Sequence, residues 1–65
     1  MTKNVRKVLD GFIATAADAL ARGDRDNAAH ALTMAARYLD MQARMSGKPA
    51  DIAAARAMWT QAASV

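Results

Sequence analysis

Residues 23–47 read GDRDNAAHALTMAARYLDMQARMSG, and this stretch decides the fold. Gly23 reads as the stop of one helix and Asp24 as the N-cap of the next. Ser46-Gly47-Lys48-Pro49 reads as a second stop, with Pro49 suited to open a third helix. Between the two glycines lie strong helix formers and few β-branched residues. On a helix turning about 100° per residue, Leu32, Ala35, Ala36, Leu39 and Ala43 form one stripe. Met34, Tyr38, Met41 and Met45, at steps of four, three and four, form another that is nearly opposite. Asp26, His30, Thr33, Arg37, Asp40 and Arg44 share a narrow polar strip. A helix apolar around most of its circumference is covered on more than one side.

Working outward, the spacing predicts helices over 3–22, 25–45 and 50–63. The expected fold class is therefore all-α: one domain over residues 1–65, built on an antiparallel αα-hairpin with a shorter third helix. In the first helix Val5, Val8, Leu9, Phe12, Ile13, Ala16, Ala19 and Leu20 fall on a single face, which is expected to cover the Leu32/Ala35/Leu39 stripe. Gly11 interrupts that helix at a cost of about 1 kcal/mol relative to alanine. The third helix is weaker, with Ile52, Ala55, Met58, Trp59 and Ala62 on one side. The stretch from Ala17 through Arg22-Gly23-Asp24 to Ala28, Leu32 and Ala35 resembles the turn of a tetratricopeptide hairpin. That resemblance implies the antiparallel hairpin alone, because no second copy of the unit follows and the repeat's terminal proline is absent.

Composition narrows the function. The chain has 65 residues, 54% of them hydrophobic, but alanine supplies about half of that class. With so few large side chains and no cysteine to form a disulfide, a chain of this size is expected to lean on a second one, and a stable homodimer is anticipated. Nine Lys/Arg against six aspartates give a net charge of +3. The charges are scattered, and three pairs have i,i+4 helical spacing: Arg6 with Asp10, Asp18 with Arg22, and Asp40 with Arg44. No apolar run has the length of a membrane span, and Asp10-Gly11 breaks any secretory core after Val8-Leu9, so a cytoplasmic protein is expected. The Ala/Arg/Asp/Gly usage suits a bacterial or phage genome.

Catalytic chemistry finds little to use. There is one histidine, no cysteine, and the serines are Ser46 in a turn and Ser64 near the end. The three glycines are isolated, so no phosphate loop is present. Asp26 and His30 offer two metal ligands on one helical face, but two ligands do not make a site. No enzyme, cofactor, metal or small-molecule substrate is expected. Ser46-Gly47-Lys48-Pro49-Ala50-Asp51-Ile52-Ala53 resembles the entry to a helix-turn-helix, yet no second turn follows, leaving Arg56, Thr60 and Gln61 for base edges. Nucleic-acid binding is thus the secondary expectation.

The Met34/Tyr38/Met41/Met45 stripe admits two readings: core closed by the third helix, or interface. Methionine adapts to irregular partners and tyrosine is enriched where proteins meet. The expected function is a small interaction module (adaptor, chaperone-like or inhibitory) that binds itself or another protein through Met34, Tyr38, Met41, Met45, Met58 and Trp59. A small basic nucleic-acid-binding regulator and a structural assembly subunit are the alternatives.

Overall fold

Two left-handed glycines divide the chain. Gly23 has φ 75° and Gly47 φ 67°, a region that only glycine enters at no steric cost. In the computed structural model, which describes residues 2–65, the helices on either side are α1 (Lys3–Ala21), α2 (Arg25–Ser46) and α3 (Pro49–Ala63). The all-α class and the helix limits agree with the sequence reading to within a residue.

Each start has its own device. Thr2 Oγ1 accepts the Val5 N–H at 3.2 Å to cap α1. Asp24 caps α2 by accepting the Asn27 N–H at 3.2 Å. Pro49 occupies the first turn of α3, where Lys48 makes no side-chain cap. The Ser46 hydroxyl ties the second turn together, donating to Asp51 Oδ2 at 2.5 Å while accepting the Lys48 N–H at 3.2 Å.

α2 is the central element. α1 and α3 each pack on it, and their backbones do not approach one another closely. The molecule measures 36 × 22 × 13 Å, its thinnest dimension close to the diameter of about 10–12 Å of one helix. The interior is made mostly of alanine: Ala16, Ala19, Ala28, Ala31, Ala35, Ala36, Ala43 and Ala55 are buried, joined by Val5, Leu32, Leu39 and Met58. Small side chains let helix axes come near the short end of the usual spacing of about 8–10 Å. They also fill little volume, and the exposed area shows it. The chain exposes 4533 Å², where a compact monomer of this mass would expose about 4,000 Å².

Several sequence expectations are corrected here. Met58 is not a surface residue; at 8% exposure it sits in the core cluster with Ala55, Leu32 and Leu39. The apolar face of α1 is wider than the strip α2 covers, so Val8, Ile13 and Leu20 remain exposed. Of the three i,i+4 charge pairs, Asp18–Arg22 forms and is the one ion pair among the described residues.

Two stability predictions come from these local features. A Cβ added at Gly11 meets no atom within 4 Å, so no contact inside the chain requires glycine there. Gly11→Ala should stabilise the fold by about 1 kcal/mol in urea denaturation. The Asp24 carboxyl lies below its ordinary value of 3.8, chiefly because it accepts the Asn27 N–H, with the Asn27 side chain and the Arg22 charge adding to the effect. A carboxyl with a lowered pKa stabilises the folded state above its unfolded value and loses that contribution as pH falls through the folded one. Asp24→Asn keeps a capping oxygen and should shrink the loss of thermal stability below pH 3.8, as read by circular dichroism across acid pH.

Candidate interaction face

The edges along which α1 and α3 meet α2 fix which part of α2 stays open. On one edge Phe12, Thr15 and Ala19 of α1 border a cavity of about 420 Å³ shared with Asn27, Ala31 and Met34. On the other, Trp59 Nε1 of α3 donates to Asp40 Oδ2 at 2.7 Å. Ala31 and Asp40 are nine residues apart, hence about half a turn of the wheel. One intervening half holds Ala28, Leu32, Ala35, Leu39 and Ala43 and is buried. The other half holds His30, Met34, Arg37, Met41, Arg44 and Met45, all exposed.

Both helices therefore pack over the same half of α2. The sequence left open that the third helix might close the Met/Tyr stripe; it does not cross to that side. Met34 is 36%, Met41 48% and Met45 75% exposed. Tyr38, nearer the α1 edge, is half-buried. Trp59, 38% exposed, lies on the opposite flank, where its indole N–H is held by Asp40. Of the six residues expected to bind a partner, four share the open face, Met58 is core and Trp59 belongs to a different edge.

Val8, like Ile13 and Leu20, is an α1 residue that periodicity misassigned. α1 runs antiparallel to α2, with Ala19, Thr15 and Phe12 beside Asn27, Ala31 and Met34. One further turn of that register brings Val8, 42% exposed, level with Tyr38 and Met41. Its place at the margin of the α1 stripe was the available signal.

Ion pairing on this face is sparser than the sequence suggested. Asp40 has the spacing to pair with Arg44, yet its carboxylate accepts from Trp59 on α3. Asp18 is taken by Arg22, and Asp51 accepts from Ser46. Arg37 and Arg44 thus have no ion-pair partner among the described residues.

The face carries no assembled chemistry. His30 lines the cavity rim, about 24 Å along α2 from the Ser46 hydroxyl, which is already bonded to Asp51 and the Lys48 N–H. Asp26 lies one turn from His30, and among the described residues no third His, Cys, Asp or Glu joins them to hold a metal. A second cavity, about 320 Å³, lies at the far end between Thr2, Val5, Leu39, Gln42, Ser46, Lys48 and Asp51. No helix among the described residues is long and apolar enough to cross a membrane.

Since His30 is exposed and makes no hydrogen bond among the described residues, His30→Ala should change unfolding free energy by less than about 1 kcal/mol in urea titration.

No protein-family model, curated protein or solved structure matches this chain.

Proposed function

We propose that the chain is a small, non-enzymatic protein-interaction module whose open α2 face, centred on Tyr38 and Met41, is covered by a helix of another chain. One observation carries the reading: large apolar side chains stay exposed, with Met34, Met41 and Met45 in a row on the open half of α2. Among the described residues, Val8, Ile13, Leu20, Met34, Met41, Met45, Ile52 and Trp59 are exposed, against four large apolar side chains buried. Singly scattered apolar residues need no explanation, but a row of them along one uncovered face marks a contact surface. The row is methionine-rich, and unbranched thioethers repack against partners of differing shape. At one end of the row Phe12, Thr15 and Met34 border an open cavity, which a helix laid along the row would meet.

Helix-in-groove docking buries such a trough without rebuilding the domain, because the core lies on the other half of α2. Adaptor, chaperone-like and inhibitory roles all use a surface of this kind, as does a subunit of a larger assembly.

Met41→Asp separates core from interface. The variant should retain its helical circular dichroism and its urea midpoint within about 0.5 kcal/mol, as surface substitutions do. It should also weaken association with the covering chain at least tenfold, since a buried, unpaired carboxylate would face the apolar seam. Outright unfolding would return Met41 to the core; undiminished association would remove the stripe from the interface.

A further inference from the structure

Sulfur is segregated on α2. Met34, Met41 and Met45 all lie on the open half of that helix, 36%, 48% and 75% exposed. The half that packs against α1 and α3 buries alanine and leucine and no methionine. Among the described residues the one remaining methionine is Met58 of α3, 8% exposed in the core cluster. The chain has no cysteine. Its thioethers are therefore the only sulfur atoms open to two-electron oxidation and recovery.

Position decides what such oxidation does. A sulfoxide puts a polar group where an adaptable apolar side chain was, and inside a core that change disrupts packing. The α2 residues of the core cluster, Leu32, Ala35 and Leu39 among them, carry no sulfur to modify. On the open half the row from Met34 to Met45 contains one large side chain without sulfur, Tyr38, so full oxidation leaves little of it apolar. Exposure also sets the order of attack. A peroxide meets Met45 in solvent, whereas Met58 has to be uncovered first, and opening of a packed element is rare in a folded chain.

We infer that the Met34/Met41/Met45 row is a reversible oxidation site, through which a peroxide turns the open face of α2 from apolar to polar while the fold persists. In each step the thioether sulfur attacks one oxygen of hydrogen peroxide, forming an S–O bond as the O–O bond breaks. The proton on the newly bound oxygen passes to the departing hydroxide, giving water. Sulfur loses two electrons and the peroxide gains them. Return to the thioether consumes two thiols through a methionine sulfoxide reductase, leaving a disulfide and water. The consequence for docking rests on the interaction reading above; the chemistry rests on exposure and on where the sulfur lies.

The test treats the full chain with dilute hydrogen peroxide and maps the added oxygen by peptide mass spectrometry. Met45 should react first, then Met41 and Met34, with Met58 at least about tenfold slower in the folded chain. In concentrated urea the four should react at similar rates. With the row oxidised, circular dichroism and the urea midpoint should hold, as they do for substitutions on an exposed face. The oxidised chain should elute earlier than the untreated one from a phenyl column in a falling ammonium sulfate gradient, where apolar surface sets retention. Reductases for both sulfoxide epimers, supplied with dithiothreitol, should restore the original elution. The triple variant Met34→Leu/Met41→Leu/Met45→Leu should keep its elution position through the same peroxide treatment.

Oxidation of Met58 as fast as the row, or loss of helical circular dichroism when the row alone is oxidised, would overturn the inference, because the reactive sulfur would not then be separate from the core. Unchanged elution after complete oxidation of the row would overturn it too, as would sulfoxides that the reductases fail to reduce. Met41→Asp decides the interaction reading separately. Undiminished association of that variant removes the docking face and leaves the oxidation results as they stand.

Discussion

Close packing through alanine on one half of α2 governs the rest of this molecule. Ala28, Ala35 and Ala36 are completely buried, and no larger side chain is buried to the same degree. Where the contact residues are this small, α1 and α3 settle close to α2 and share a single half of it. The core is then thin, with Leu32, Leu39 and Met58 as its main bulk. Once those sectors are taken, the larger apolar side chains have no interior left to enter. The exposed methionines follow from the choice of alanine on the opposite half.

How much of this was legible in the sequence depends on the range of the interactions. The helix limits rest on local chemistry (Gly23, Asp24, Gly47 and Pro49), and each acts within a turn of its own position. The two α2 stripes are equally local, since periodicity alone defines them. The position of α3 is another matter. Ile52, Ala55, Met58 and Trp59 span a broad arc, so the pattern does not say which of them points inward. The structure resolves this by burying Met58 and Ala55 and anchoring Trp59 to Asp40, a bond across 19 residues. No periodicity argument could have found it.

The same long-range bond changed the hydrogen bonding beside the candidate site. Spacing gave Asp40 to Arg44, a solvent-exposed pair worth about 0.3–0.5 kcal/mol. In the folded chain the indole of Trp59, on a second helix, donates to that carboxylate. A helix-wheel reading therefore counted an ion pair that the folded chain does not make, although the charges on the strip are the same.

The alanine core and the exposed methionine row occupy opposite halves of one helix, and this division has a consequence for how the surface can vary. A substitution at Met34, Met41 or Met45 alters no residue of the alanine core, so the seam can be retuned without repacking the domain. The accompanying hazard is an exposed apolar strip on a small, thinly packed protein. A partner bound to that row would stabilise the fold by mass action, by about 2.7 kcal/mol when its free concentration is a hundred times the dissociation constant. For a core built largely from alanine, that increment is a substantial fraction of the few kcal/mol expected of a single small core.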